Sequence, residues 1–269
     1  MEHIQVTNNS SAAFTPSYLR LKIAEMVYRS GEGHIPSSFS IMDILYALFD
    51  SVPKLGTESG LDKFILSKGH GCAALYVTLA SKGILSWEDI EAYGSDGSSL
   101  GGHPDRNKQF GVECNSGSLG HGLPFAVGLA LASKIRTGSK NKIYCLIGDG
   151  ECQEGTTWES ASVAVNQGLT QLVPIIDWNG SASQLQPKEF LLNKWSSFGW
   201  STIEVDGHCV EELVSLFKSL NDKDLPNPTV ILARTTKGKG VQFMEGHGIW
   251  HHKIPNDEEM KMIRHELQS

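Results

Sequence analysis

Apolar side chains along this chain recur in two periods. Tyr18, Leu21, Ala24 and Tyr28, with Glu25 beside them, fall at helical spacing, and the run closes at Gly31, a residue suited to the left-handed turn that ends a helix. Ile41 to Phe49 predicts a second helix. Ahead of both, residues 1–13 are polar and aperiodic and predict a loose N-terminal arm before one domain over 14–269. Phe64-Ile65-Leu66 predicts a short strand that runs through Ser67-Lys68-Gly69 into an apolar helix over 71–82. Residues 94–122 are too dense in glycine for a regular element and predict a functional loop. Leu123 to Ile135 then predicts a mostly apolar, buried helix.

The second half repeats one unit. Ile143 to Ile147 is a short apolar strand, Glu154 to Gln167 a helix, and Leu172 to Ile176 another apolar strand. A strand at Ser201 to Val205, a helix at Val210 to Leu220, a strand at Thr229 to Ala233 and a charged C-terminal helix complete the series. Strand and helix in alternation predict an α/β fold: a doubly wound, mostly parallel sheet with helices on both faces.

Composition narrows the class of function. The 269 residues are 40% hydrophobic and 20% charged, enough for a full core. A net charge of −7 with no Lys/Arg-rich block argues against a nucleic-acid surface. No apolar run nears the roughly 20 residues that span a bilayer, so no membrane association is expected. The first 20 residues lack the basic and apolar regions of a secretory leader. Cys72, Cys114, Cys145, Cys152 and Cys209 form no C-x-x-C pair and suit a reducing compartment, so the expected location is cytoplasmic.

In such a sheet a ligand sits beyond the carboxyl ends of the strands. Gly148-Asp149-Gly150 follows the strand at Ile143, and Asp177-Trp178-Asn179-Gly180 follows the strand at Leu172. Asp149 offers a carboxylate and Asn179 an amide oxygen, both hard oxygen ligands, and the flanking glycines let the backbone close on a bound group. Mg2+ keeps about six oxygens in near-octahedral order and shares them with bound phosphates. Two side chains, one backbone carbonyl and a water leave room on the ion for a diphosphate. The Gly150 amide and the N-terminus of the next helix would add donors aimed at that anion. A bare Gly-Asp-Gly is an ordinary turn; Asn179 at the end of the following strand is what makes it a site.

This spacing resembles the thiamine diphosphate fingerprint, and Gly148-Asp149-Gly150-Glu151-Cys152-Gln153-Glu154-Gly155 resembles its transketolase form, G-D-G-x-x-x-E-G. Gly33-His34, Ser67-Lys68-Gly69-His70-Gly71, Gly102-His103-Pro104 and Ser116-Gly117-Ser118-Leu119-Gly120-His121-Gly122 are similar to further transketolase segments, in family order. So is Lys237-Gly238-Lys239-Gly240 with His251 downstream. The resemblance implies the cofactors thiamine diphosphate and Mg2+, with Asp149, Asn179 and the Ser181 backbone on the metal. It implies His70 and His251 on the diphosphate and thiazolium side, and His34 and His103 facing substrate hydroxyls. Gly117, with Ser118 beside it, would contact the aminopyrimidine, Leu119 would pack on the cofactor, and Gly150 would serve its diphosphate. Glu154 matches a carboxylate that meets the partner's catalytic glutamate. His34, His70, His103, His251 and Glu154 are the expected catalytic set.

A complete transketolase also carries a pyrimidine-binding domain and a third, smaller one, and neither is expected before Ser269. The resemblance therefore implies the N-terminal subunit of a split transketolase, which moves a two-carbon ketol unit from a ketose, a sugar or sugar-like substrate, to an aldehyde. Its partner would be a C-terminal subunit in a two-plus-two heterotetramer. Another thiamine diphosphate carboligase, of the acyloin or deoxyxylulose-phosphate type, and a non-catalytic interaction protein are the competing expectations. Pro36 and Ser37 depart from the family's glycine-rich sequence and are expected to reshape the loop beside His34. Ser181 and Ser183 stand where apolar residues usually pack near the cofactor. His247, His251 and His252 offer an alternative metal cluster, although Gly246, Gly248 and Pro255 argue against a helix there. His3, His208 and His265 read as ordinary surface or core histidines.

Overall fold

A computed structural model describes residues 14–52, 55, 62–137, 141–183, 185, 187–221, 225–246 and 248–268. The N-terminal arm expected over 1–13 lies outside them. Among the described residues the sheet is wholly parallel, with strands β1 (Lys63–Leu66), β2 (Ile143–Gly148), β3 (Leu172–Trp178), β4 (Ser201–Asp206) and β5 (Thr229–Arg234) in the order β1-β2-β3-β5-β4. Strands β2 and β3 are buried along their whole length, as central strands covered on both faces must be.

Alternation along the strands divides the interior into two cores. Tyr144, Leu146, Val173 and Ile175 face one core, which they share with α1 (Pro16–Ser30), α2 (Ile35–Ser51) and α3 (Cys72–Ser81). Ile143, Cys145, Ile147 and Ile176 face the other, which is closed by α5 (Gly122–Thr137), α6 (Gly155–Asn166) and α7 (Lys188–Ser197). Between these, α4 (Trp87–Glu91) is a short helix with a Ser86 capping box. Helix α8 (Val210–Asn221) connects β4 to β5, and α9 (Asp257–Gln268) packs on α1. At the start of α1, Thr15 Oγ1 accepts from the Tyr18 amide at 3.2 Å and Pro16 occupies the first turn; at its end Gly31 takes φ 71°.

Two expectations are corrected. The second helix, expected from Ile41, begins at Ile35, and His34 is its N-cap. Pro36 fits the first turn because a helix needs no amide hydrogen there. Helix α5 is not wholly buried. Leu123, Ala126 and Ala130 pack inward, but Phe125 and Ile135 are 38% and 75% exposed on its other side. One side of a helix suffices to cover the sheet, and apolar content alone does not reveal that the other side stays open.

Candidate active site

The loops after β1, β2, β3 and β5 meet beyond the carboxyl edge of the sheet and enclose a cleft of about 380 Å3. Its lining includes His34, His70, His103, Gly117, Leu119, Asp149, Gly150, Asn179 and Ser181, residues drawn from segments scattered between 34 and 181. His34 comes from the start of α2, and His70 from a 3-10 turn, Gly69–Gly71, that joins β1 to α3. The His34 ring lies 5.7 Å from that of His70, 6.0 Å from that of His103 and 4.6 Å from that of His252. Four imidazoles thus converge on one wall.

His252 also lines the cleft, which the sequence assigned only to an alternative metal cluster. The side chain of His251 and the whole of His247 lie outside the described residues, so that cluster and the role expected of His251 rest on the sequence alone. Among the described residues no group of three or more His, Cys, Asp or Glu is placed to hold a metal. A site built on one carboxylate, one amide and a ligand's phosphates is of a different kind.

Asp149 begins the turn after β2 and is buried; its Oδ2 accepts a long 3.4 Å bond from the Ala182 amide, while its buried Oδ1 has no hydrogen-bond partner. Burial, and then the nearby Asp177 carboxylate, push the Asp149 carboxyl above its ordinary range. An acid in this position lacks a counter-charge on its free oxygen. Asn179 stands at the end of the neighbouring strand, with Nδ2 donating to Asp177 Oδ2 at 2.8 Å and Oδ1 accepting from the Ser181 amide at 3.0 Å and from the Ser181 hydroxyl. The two hard oxygen donors open on the same cleft. The residues fit a Mg2+ ion bound together with a diphosphate, since the orphaned Asp149 oxygen is the kind of ligand the ion supplies a partner for.

Four buried charged residues, Asp177, Lys68, Lys237 and Glu151, surround this pair and were not singled out in the sequence. Asp177 is fully buried; burial alone would raise its carboxyl, but the Lys68 ammonium and the donors around it hold it below the usual range. Lys237 lines the cleft, and burial, then the charge of Lys68, lower its ammonium. Glu151 accepts from Ser67 Oγ, the Gly120 amide and the Gly148 amide at 2.6, 2.8 and 2.9 Å. It ties together the loops that carry Lys68, Leu119 and Asp149. Burial raises its carboxyl while those donors pull the other way. Lys68 and Glu151 lie inside the motifs quoted above, yet nothing in the motif letters tells a buried charge from an exposed one.

The remaining site residues fall around the rim. Gly117 has φ 152°, and a Cβ there would stand 3.3 Å from the His103 ring, so the glycine lets the loop close against that histidine. Ser118 is exposed, does not line the cleft, and has its hydroxyl 3.3 Å from His121 Nδ1. Glu154 is also exposed and off the lining, at the N-cap of α6, where Gly120 (φ 79°) passes so close that a Cβ would lie 2.6 Å from the Glu154 Cβ. The helix expected from Glu154 begins at Gly155, and Gly150–Gln153 form a 3-10 turn ahead of it. The backbone nearest Asp149 therefore comes from that turn, and the α6 N-terminus stands further off.

Known proteins share this arrangement. Over residues 12–268 the chain matches the family model for the transketolase thiamine diphosphate binding domain. It is 39% identical, over 92% of its length and 90% of the relative's, to an apulose-4-phosphate transketolase subunit from Phocaeicola vulgatus. It is 36% identical to the 6-deoxy-6-sulfo-D-fructose transketolase subunit SqwG of Clostridium sp., over 93% of this chain and 94% of that one. Human transketolase is 34% identical over 93% of this chain, which spans only 41% of it. In three dimensions the Campylobacter jejuni transketolase superposes with a TM-score of 0.83 at 30% identity, covering 94% of this chain and 42% of that one. With the family model matched over nearly the whole chain, the chain belongs to the transketolase thiamine diphosphate-binding domain family.

Proposed function

We propose that this chain is the diphosphate-side subunit of a split transketolase that transfers a two-carbon ketol unit from a ketose to an aldehyde. The observation that carries the reading is the buried, unpartnered Asp149 Oδ1 beside the Asn179 amide, in a cleft walled by four histidines. Two relatives that match this chain nearly end to end bear the names of transketolase subunits, which supports a two-subunit enzyme.

Asp149, Asn179 and the backbone at Ser181 would hold Mg2+, whose charge would offset that of the Asp149 carboxylate beside a diphosphate. Thiamine diphosphate, when bound, supplies the nucleophilic carbon and the electron sink for breaking and making a bond beside a carbonyl. Leu119 packs on the cofactor, and His70 serves its diphosphate side. His34 and His103 hold substrate hydroxyls and exchange protons with them, as imidazoles in a cleft can. Glu154 faces outward toward a C-terminal subunit that carries the pyrimidine-binding domain, within a two-plus-two assembly.

The test is reconstitution. Purified chain, a C-terminal transketolase subunit encoded beside it, thiamine diphosphate and Mg2+ are assayed together and singly with ketose donors and aldehyde acceptors. Activity is expected only in the complete mixture. Turnover by this chain alone, free of host transketolase, would overturn the split-subunit reading, and release of carbon dioxide from a 2-oxo acid in place of ketose cleavage would overturn the transferase reading.

A further inference from the structure

We infer that Asp177 is a positioning residue for the metal site: it sets which atom of the Asn179 amide faces the cation and fixes the turn that carries Asp149. The inference rests on the cofactor site proposed above. Asp177 is the last but one residue of β3 and lies directly opposite Gly148, the residue before Asp149, in the parallel register. Its backbone carbonyl accepts the Asp149 amide at 3.2 Å, and its side chain accepts Asn179 Nδ2 at 2.8 Å. Both candidate metal ligands are therefore tied to this one residue.

The second bond decides orientation. A carboxamide has an oxygen face and an amine face, and only the oxygen binds a hard cation. Both Asp177 side-chain oxygens already accept, from Ser40, Lys68 and Thr235, so the amine of Asn179 must turn toward them and its oxygen away. Asp177 is itself fixed by four elements: Lys68 after β1, Ser40 on α2 at 2.8 Å and Asn179 donate to Oδ2, and Thr235 after β5 donates to Oδ1. Lys68 has a further use. Its charge offsets that of Asp177, so the Asp149 carboxylate is left to balance a divalent ion without a second bare carboxylate behind it.

Reversing the donor and the acceptor tests this. Asp177→Asn removes the demand for an amine at 179, and Asn179→Asp removes the donor. The double variant Asp177→Asn/Asn179→Asp restores one donor and one acceptor between the same two positions and keeps one carboxylate in the pair. The full-length chain mixed with its C-terminal subunit is titrated with Mn2+ in the presence of thiamine diphosphate, bound metal being read by electron paramagnetic resonance, with circular dichroism to follow folding. Each single variant is expected to bind metal at least about 10-fold more weakly, the scale for losing a group that orients a ligand. The carboxylate of Asn179→Asp would by itself be the stronger ligand, so a purely local view predicts tighter binding there. The double variant is expected to recover most of the affinity.

Wild-type affinity in Asp177→Asn, or tighter binding by Asn179→Asp alone, would overturn the positioning role. A double variant that stays folded but binds no better than the single variants would overturn it too. No thiamine diphosphate-dependent metal binding by the wild type would overturn the cofactor site itself, and the inference with it.

Discussion

The carboxylate of Glu151 accepts a 2.6 Å hydrogen bond from Ser67 Oγ, and the same hydroxyl accepts from the Gly122 amide at 3.1 Å. Together they join the ends of β1 and β2 to the glycine-rich loop and the first residue of α5. Glycine loops gain little rigidity from side-chain packing of their own, so a buried acid that collects their amides does that work from beneath the cleft.

Glu151→Ala is expected to destabilise the chain by about 3 kcal/mol, because buried donors at Ser67, Gly120 and Gly148 lose their acceptor. Glu151→Gln, which keeps one acceptor oxygen, should cost less. Urea unfolding of both variants checks the order; an alanine variant as stable as the wild type would remove Glu151 from the framework of the site.

Much of this was legible in the sequence. Central parallel strands are buried on both faces, so Ile143 to Ile147 and Leu172 to Ile176 stand out as uninterrupted apolar runs, and Asp149 and Asn179 follow from their residue types at the ends of those runs. Helix α7 escaped notice because Leu191 and Trp195, one turn apart, are its deeply buried anchors amid polar neighbours. Lys68 and Asp177 escaped for another reason. They are 109 positions apart, and a charged residue shows its meaning only when the fold brings its buried partner to it. The first turn of α2 was not predicted, although Pro36 is a residue that a first turn accepts.

Asp149→Asn should stabilise the metal-free chain while abolishing Mg2+ and thiamine diphosphate binding. The Asp149 carboxyl is raised in the fold, so the unfolded chain ionises first as pH rises, and the cost of keeping the charge buried grows until the folded group has ionised as well. The advantage of the variant, about 1 kcal/mol at neutral pH, should therefore vanish as pH falls below the ordinary carboxylate range. Thermal unfolding from acid to neutral pH, with and without the metal and cofactor, gives both halves. A variant less stable than the wild type in the absence of metal would contradict the strain assigned to this oxygen.

His208 bridges a buried ion pair to the cleft: Nδ1 donates to Asp43 Oδ2 at 2.7 Å, and Nε2 accepts the Thr236 amide at 2.8 Å, beside Lys237. Burial alone would raise the Asp43 carboxyl, but the His208 bond and the Arg20 charge hold it below its usual range. Its stabilising contribution is complete above the unfolded carboxylate range and is lost as pH falls through the lowered folded value. His208→Ala is expected to cost about 2 kcal/mol at neutral pH and to move acid unfolding to higher pH. Circular dichroism along an acid titration measures both, and an unmoved acid midpoint would count against the bridge.

His70→Ala and His103→Ala should separate. The first is expected to weaken thiamine diphosphate binding to the assembled enzyme about tenfold; the second, whose ring lies against Gly117, should lower turnover with cofactor affinity nearly intact. Calorimetric titration of cofactor alongside steady-state kinetics distinguishes them, and an equal loss of cofactor affinity in both variants would refute the division of labour.

The exposed side of α5 leads to the last prediction. Phe125 and Ile135 are 38% and 75% exposed there, Val163 on the adjacent α6 is 45% exposed, and Gly128 between the first two faces open space. Small and apolar residues on neighbouring helices form a surface that another protein can approach closely, and a soluble chain covers such a patch when it can. The isolated chain is therefore expected to self-associate, and its complex with the C-terminal subunit to reach a mass near two of each chain by light scattering. Phe125→Asp should weaken that association by about 2 kcal/mol, the scale of a buried aromatic anchor at an interface. It should lower the melting temperature of the dilute chain only modestly, since more than a third of the residue is already exposed at 38%. A monomeric free chain and a one-to-one complex would exclude this face as the assembly surface; so would a Phe125→Asp variant that unfolds early yet associates as before.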